Sequence, residues 1–140
     1  MTTTVQIAID CADPHRMAKF WASALGCTVV QNDADIRALV DAGIAADADV
    51  MELDGVLVWR EAAACEDETG RLPRLYFQLV PEPKTVKNRV HLDLHVGGDA
   101  RDGEVDRLLA LGATRLYEGR QGPHSWITMS DPEGNEFCVA

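Results

Sequence analysis

The sequence Ala-Leu-Gly-Cys-Thr at residues 24–28 returns as Ala-Leu-Gly-Ala-Thr at residues 110–114. In each copy the glycine follows an apolar stretch, at the place where a left-handed residue commonly ends a helix. The threonine after it opens a segment with the character of a strand. The repeated phrase therefore predicts two helices that end alike, one in each half of the chain, and indicates an internal duplication.

The first of these helices also has a recognisable start. Asp13 and Pro14 have the composition of an N-cap followed by proline at the first helical position. Residues 5–11, just before them, alternate in polarity and predict a strand. The apolar side chains of the helix recur at helical spacing, so one face should be buried. They are Met17, Phe20, Trp21 and Leu25.

The second half repeats the order of a strand, a helix and three strands. Residues 90–96 alternate as a strand, and an acidic helix start at residues 99–102 leads to a helix that ends at Gly112. Three strands are predicted after it, at residues 114–118, 125–130 and 136–139. The last two are joined by Asp-Pro-Glu-Gly, which has the composition of a type I turn.

The first half has the same plan with a longer middle. Matching strands are predicted at residues 27–31, 55–60 and 75–80. The acidic connection at residues 32–54 has no counterpart in the second half, and we expect a short extra helix at residues 36–42 within it. Residues 61–73 are predicted to form a surface loop, and residues 81–87 a linker between the halves.

Composition narrows the classes of function. With 13 basic and 23 acidic residues among 140, the net charge of −10 would repel a phosphate backbone, so we expect no nucleic-acid partner. No apolar run approaches the length of a membrane span and no signal-peptide pattern precedes Val5, which predicts a cytoplasmic protein. The four cysteines form no Cys-x-x-Cys pair and are expected to be reduced thiols.

Taken together, these segments resemble the vicinal oxygen chelate superfamily, the glyoxalase and bleomycin-resistance type. The resemblance rests on residues 10–14, 20–22, 24–26, 89–94 and 131–137. It implies one α+β domain, residues 1–140, with two βαβββ repeats at residues 4–80 and 88–140. The repeats should form a curled, cup-shaped mixed β-sheet with the helices outside, either within one chain or across a homodimer.

The resemblance also implies that the first and last strands of each repeat line a cup for a small organic molecule. Every second residue of those strands would then face the cavity. The ligand-binding candidates are Gln6, Asp10, Tyr76, Gln78, His95, Trp126 and Cys138. The alternative is that polar residues alternating on a strand simply face water. For Trp126, core packing and ligand stacking are left as equal interpretations.

Metal-dependent members of the superfamily hold a divalent ion with ligands from strands one, four, five and eight. Those positions are here occupied by Gln6, Gln78, His91 and Cys138. Both carboxylates of the pattern are missing, so a divalent ion would stay at least one charge short even with a thiolate. We therefore expect no metal cofactor. The alternative is a divalent Zn, Ni or Mn ion, with Zn²⁺ on His91 and Cys138 aided by Glu136 or Asp93.

Two functions agree with this pattern. The first is a metal-free protein that captures a small organic molecule. The alternative is a lyase, isomerase or dehydratase in which His91, with Glu136 or Asp93 as the catalytic carboxylate, moves a proton on the substrate. Cys138 is a candidate nucleophile, against the interpretation of an inert buried thiol. Glyoxalase I activity is least favoured because the chain lacks its metal-binding set.

Overall fold

The chain folds into two compact units that divide at the predicted linker. The computed structural model describes all of residues 1–140, and these form one unit at residues 1–81 and another at residues 82–140. Each unit contains its own mixed, open and curled sheet. None of the helices has the length and apolar character needed to cross a bilayer.

The first unit contains a four-stranded sheet, a separate two-stranded hairpin and two α-helices. Its elements are β1 (Gln6–Cys11), α1 (Pro14–Leu25), β2 (Thr28–Val29), α2 (Asp33–Asp41), a 3₁₀ turn (Asp47–Asp49), β3 (Val50–Leu53), β4 (Val56–Trp59), β5 (Ala62–Glu66) and β6 (Arg74–Leu79). The strand order in the sheet is β1-β6-β5-β2. β1 runs parallel to β6, and the other pairs are antiparallel.

The second unit has the same topology in fewer residues. Its elements are β7 (Asp93–Leu94), α3 (Arg101–Leu111), β8 (Thr114–Gln121), β9 (His124–Ser130) and β10 (Glu136–Val139). The strand order is β7-β10-β9-β8, again with the first strand parallel to the last. In both units the strands of the four-stranded sheet and the helix α1 or α3 follow one another as βαβββ, with α2 and the hairpin of β3 and β4 inserted in the first, so the predicted α+β fold with two repeats is confirmed.

Helix α1 begins and ends where the sequence predicts. The Asp13 carboxylate accepts a hydrogen bond from the Arg16 backbone N–H at 3.1 Å, and Gly26 takes the left-handed conformation with φ of 70°. Met17 and Trp21 are fully buried against the first sheet. The helix is therefore stabilised by a capping bond at its start and by an apolar face along its length.

The core of each unit lies between its sheet and its helix. In the first unit Leu75 and Phe77 of β6 are buried, and in the second Phe137 and Val139 of β10 are buried. Helix α3 contributes Leu108 to the second core. Because side chains alternate across a strand, the residues between these positions lie on the other, open face of each sheet. That open face is where both units place their polar side chains.

The predicted strand at residues 55–60 does not belong to the four-stranded sheet. As β4 it pairs with β3 in a separate hairpin, through a two-residue turn in which Asp54 and Gly55 both have positive φ. The third strand of the sheet is β5, inside the predicted loop at residues 61–73. That prediction was wrong because three consecutive alanines carry little strand propensity, although their small size suits the close approach of α1.

The predicted strand at residues 90–96 is regular only at β7. Its flanks still follow β10, because the Cys138 N–H donates to the Leu92 carbonyl at 3.0 Å and the Val96 N–H donates to the Ala140 carbonyl at 2.7 Å. Exposure alternates from His91 to Val96, with Leu94 buried, whereas Val90 is exposed and lies in a bend. The chain is therefore extended as predicted, while hydrogen bonding makes a shorter strand.

Candidate functional site

The open face of the second sheet carries a pocket of about 840 Å³. Its walls come from β7, β8, β9 and β10 and from the start of α3. Six residues predicted from the sequence as ligand-binding or catalytic line it together. They are His91, Asp93, His95, Trp126, Glu136 and Cys138. The pocket thus brings the candidate residues of the second half to one place.

Alternation and register explain this convergence. His91, Asp93 and His95 are exposed two residues apart, so they share one face of the extended segment around β7. On β10, Cys138 faces the same side as they do. The parallel pairing of the two strands places Cys138 directly opposite Asp93. The sheet therefore sets an imidazole, a carboxylate and a thiol side by side.

His91 and Asp93 form the closest polar contact of the pocket, with 2.8 Å between His91 Nδ1 and Asp93 Oδ1. An ionised carboxylate can only accept, so Nδ1 carries the proton and donates it to this bond. In a neutral imidazole the other nitrogen, Nε2, is then an acceptor. The pair can accept a hydrogen bond from a ligand at Nε2, or take a proton from it.

The Cys138 thiol is not activated by its surroundings. Burial raises the pKa of Cys138, and the Asp93 carboxylate raises it further, while a hydrogen bond with Thr128 acts in the opposite direction. The Thr128 Oγ1 and Cys138 Sγ atoms are 3.8 Å apart. Since the thiolate is the nucleophile, a pKa above the ordinary value favours the interpretation of an inert thiol.

Glu136 is held by other partners than His91. Its carboxylate accepts hydrogen bonds from Lys84 Nζ at 3.1 Å and from the Asn88 backbone N–H at 2.9 Å. Burial raises the pKa of Glu136, but hydrogen bonds from the backbone N–H groups of Asn88 and Glu136 and the hydrogen bond and charge of Lys84 together outweigh it, so the pKa lies below the usual value. Glu136 thus fastens the segment before β7 to β10, whereas Asp93 is the carboxylate bonded to His91.

Other residues of the pocket were not predicted. Arg101, the first residue of α3, lines it and donates from Nη1 to Ser125 Oγ at 2.9 Å. The only feature of the sequence that marked Arg101 was its position as a basic residue within the acidic helix start at residues 99–102. Tyr117 and Gln121 of β8 also line the pocket. Gln121 lay beyond the predicted strand, which ended at residue 118, while Tyr117 lay within it next to the apolar Leu116, so no alternation marked it.

The candidates of the first half lie on the open face of the first sheet. Gln6 pairs with Arg74 and Asp10 with Gln78 across β1 and β6. Arg74, which sequence reasoning missed, donates from Nη1 to Gln6 Oε1 at 2.8 Å, and its Nε lies 2.8 Å from Glu66 Oε1. Gln6 is thus already engaged within its own sheet.

Tyr76 has a different neighbourhood from the other candidates. The Arg74 guanidinium lies 5.9 Å from the centre of its ring, within the range of a cation–π contact. Tyr76 also lines a separate pocket of about 500 Å³ in the first unit, with Trp59 among its walls. The hairpin of β3 and β4 forms part of that pocket, and the second unit has no such hairpin.

The pocket contains three side chains that could together bind a metal ion. His91, Asp93 and Cys138 each offer a ligand atom, and these atoms lie within 4.8 Å of one another. Nitrogen, oxygen and sulfur donors suit Zn²⁺ with a fourth position left open. Asp93 also supplies the charge that the predicted set of Gln6, Gln78, His91 and Cys138 lacks. The three residues therefore fit zinc, which when bound would polarise a ligand oxygen.

The repeated βαβββ topology and a polar pocket on the open face of the sheet define the vicinal oxygen chelate class. A sequence model of the glyoxalase-like domain matches residues 6–140, and the chain belongs to this family. A search of curated proteins finds no match to the sequence.

Solved structures agree on the fold. A glyoxalase/bleomycin resistance protein/dioxygenase family enzyme from Burkholderia phytofirmans PsJN is similar, with TM-score 0.62, 16% identity and coverage of 96% of this chain and 94% of that chain. A variant of FosX, a fosfomycin resistance protein from Listeria monocytogenes, in complex with Mn(II) and 1S,2S-dihydroxypropylphosphonic acid has TM-score 0.62, 11% identity and coverage of 99% and 89%. TioX from Micromonospora sp. ML1 has TM-score 0.53, 14% identity and coverage of 99% and 97%.

Proposed function

We propose that the chain binds a small organic molecule in the pocket of its second unit, and that His91 is the polar anchor of that ligand. The observation that carries this proposal is the convergence of six predicted residues on one pocket of about 840 Å³. A volume of this size suits a drug-sized molecule. The pocket combines aromatic side chains, Tyr117 and Trp126, with a few directed polar groups, as ligand sites commonly do.

The proposed binding mode does not require the metal ion found in the FosX complex. His91 and Asp93 already satisfy each other through their 2.8 Å bond, which leaves the His91 Nε2 atom to meet the ligand directly. The positions that match the superfamily's metal ligands hold two neutral glutamines, Gln6 and Gln78, in the first unit. The set of His91, Asp93 and Cys138 fits zinc, but the bond between His91 and Asp93 forms without an ion, and we propose that ligand binding is metal-free.

The test is a screen of neutral, anionic and cationic fragments, observed through the backbone and indole N–H signals of the labelled protein. Fragments that bind in this pocket should shift the signals of Trp126 and of the residues around His91. His91→Ala should abolish these shifts with little loss of fold, while His15→Ala, in the first unit, serves as the matched control. Fragments that bind both variants equally well would remove His91 from the site.

Elemental analysis of untagged protein tests the metal-free mode. After addition of Zn²⁺, Ni²⁺ or Mn²⁺ and desalting, we expect no ion retained at one per chain. Retention of Zn²⁺ that is lost in Cys138→Ser and kept in Cys27→Ser would contradict this expectation. It would assign the ion to His91, Asp93 and Cys138, the set whose ligand atoms lie within 4.8 Å of one another.

A second candidate function is proton transfer on the bound molecule, as in a lyase, isomerase or dehydratase. The bond between His91 and Asp93 favours it, because a carboxylate on Nδ1 fixes the tautomer in which Nε2 can act as a base. Carbonyl fragments that bind should then exchange an α-proton for deuterium in D₂O. Asp93→Asn should slow this exchange at unchanged affinity. Absence of exchange would leave a binding protein.

The homodimer predicted from the sequence and the cytoplasmic location stay predictions. Light scattering coupled to size exclusion checks the first. A mass of one chain, independent of protein concentration, would contradict the homodimer.

A further inference from the structure

Trp126 occupies space that a side chain at position 119 would need. Gly119 of β8 pairs directly with Trp126 of β9. A Cβ atom added to Gly119 would lie 2.3 Å from Cε2 of the indole and 2.5 Å from both Cζ2 and Nε1. Real Cβ atoms essentially never lie within 3.0 Å of a non-bonded heavy atom. Only glycine at this position therefore allows the indole to lie where it does.

The same distances give the orientation of the ring. Cε2 is bonded to both Nε1 and Cζ2, so a ring approached edge-on from between those two atoms would have Cε2 as the farthest of the three. Cε2 is instead the nearest. The added atom would thus meet the face of the indole, and Trp126 lies with one ring face on the backbone of Gly119.

Exposure along β8 agrees with this arrangement. Gly119 is half-buried, while the other seven residues of the strand are exposed. Trp126 is itself half-buried and lines the pocket together with Tyr117 and Gln121. Since one face of the indole covers Gly119, the opposite face is directed away from the strand, toward the pocket that the ring lines.

An aromatic ring across from a glycine also has a purely structural use. β8 is an edge strand of its sheet, and an aromatic side chain can protect a glycine in such a strand. That role needs the contact with Gly119 alone. It does not require the second ring face to belong to a pocket that also contains the bonded pair of His91 and Asp93.

We infer that Gly119 is a positioning residue which holds Trp126 as a flat platform, and that the ligand of the pocket carries a planar, π-rich ring that stacks on it. This inference rests on the proposed function, since it names the class of molecule that the pocket of the second unit takes. An offset-stacked ring gains attraction beyond its buried area. A saturated ring of the same size lacks that gain.

Two probes with the same ring skeleton, one planar and aromatic and the other saturated, test the inference. Naphthol and its fully saturated analogue decalol are titrated separately against the labelled protein, and the Trp126 indole N–H signal is identified by its loss in Trp126→Leu. We expect naphthol to bind at least about fivefold more tightly than decalol, a difference within the range of aromatic stacking. We also expect naphthol to shift the Trp126 signal more than those of Trp21 and Trp59.

Gly119→Ala should remove this preference, because its Cβ displaces the indole. A merely structural role is separated by the double variant Gly119→Ala with Trp126→Leu, in which the smaller side chain relieves the clash. The double variant should regain the melting temperature lost in Gly119→Ala, yet still bind the two probes equally. A preference for naphthol that persists in Gly119→Ala would overturn the inference.

The remaining outcomes separate this inference from the function on which it rests. If both probes bind with equal affinity and His91→Ala abolishes both, the pocket is a binding site and the platform is wrong. If neither probe shifts any signal of the pocket up to low millimolar concentration, while another fragment of the screen binds there in a His91-dependent way, the platform is overturned and the proposed function stands.

Discussion

The two halves of the chain share one strand order but differ on the open faces of their sheets. In the first half Arg74 spans the face, with contacts to Gln6, Glu66 and Tyr76. In the second half the corresponding face is a pocket floored by the bonded pair of His91 and Asp93. The repeated backbone therefore defines a similar surface in both halves, while a few side chains decide whether that surface carries Arg74 with its partners or the bonded pair of His91 and Asp93.

The registers make this difference specific. If Gln6 and His91 occupy equivalent positions, as the superfamily pattern implies, then Ala8 corresponds to Asp93. Ala8 pairs with Tyr76, and Asp93 pairs with Cys138. One half therefore has a methyl group and a ring where the other has a carboxylate and a thiol. The groups that we propose to anchor a ligand or move a proton are therefore concentrated in the second half, although both halves have the same topology.

The largest predicted effect is on the free energy of unfolding and comes from the cores of the two units, which we expect to contribute equally. Phe77 and Phe137 are 0% and 1% exposed. Replacing either by alanine should lower the free energy of unfolding by about 3–5 kcal/mol, through lost burial and a residual cavity. Chemical denaturation measures this, with Leu116→Ala as a control at a side chain that is 44% exposed. A large loss in only one of the two variants would break the equality of the halves.

The next largest predicted effect is on ligand affinity, and it distinguishes the open face of the second sheet from that of the first. His91→Ala should weaken binding of any pocket ligand at least about tenfold, or about 1.4 kcal/mol, because the ligand loses its polar anchor. Gln6→Ala should change affinity less than about twofold, within the error of additive contacts, because the Gln6 amide is already bonded to Arg74. Titration by fluorescence or calorimetry compares the two. Equal losses would show that the first sheet also contributes to the site.

Much of the fold follows from local patterns in the sequence. The capped helix at Pro14–Leu25 and the alternating stretch at residues 90–96 were predictable because caps and alternation are properties of neighbouring residues. The pairing of Val56–Trp59 in a separate hairpin was not predicted, because an apolar, β-branched composition suits any strand. The Asp54-Gly55 turn was a readable hairpin signal, and it would have paired that strand with the preceding residues.

The site divides in the same way. Residues that share a strand, such as His91 and Asp93, fall on one face by alternation, so their proximity could be predicted. Arg101 and Arg74 reach the open faces with long side chains whose direction no local pattern specifies. Gly119 matters only through its register with Trp126, which becomes known once β8 and β9 are paired. Contacts of this kind depend on the tertiary structure.

A smaller effect distinguishes the helix starts. The Asp13 carboxylate caps α1, whereas α3 begins after Ala100 without a capping side chain. Asp13→Ala should therefore lower the free energy of unfolding by about 1 kcal/mol. Asp99→Ala, one residue before the N-cap position of α3, should cost less than about 0.5 kcal/mol, as surface substitutions usually do. Thermal or chemical denaturation compares the two, and equal costs would mean that the capping bond contributes nothing.

The smallest effect depends on pH and belongs to the second half. Glu104 and Arg107 pair along α3 at 2.6 Å, and the hydrogen bond from Arg107 holds the pKa of Glu104 below its ordinary value. The pKa of Glu104 is lower in the folded protein than in the unfolded chain. The stabilisation is therefore fully present above the unfolded pKa and is lost as the pH falls through the folded pKa.

Glu104→Gln should therefore cost about 0.3–0.5 kcal/mol at neutral pH, the range for a helix pair in contact with solvent. The difference in the free energy of unfolding between the variant and the parent protein should vanish in acid, because protonated Glu104 is then uncharged like the glutamine that replaces it. Unfolding curves at neutral pH and near pH 3 measure it. A cost that stays the same at both pH values would assign the effect of Glu104 to packing rather than to charge. Helices α1 and α3 would then not differ in this electrostatic contribution.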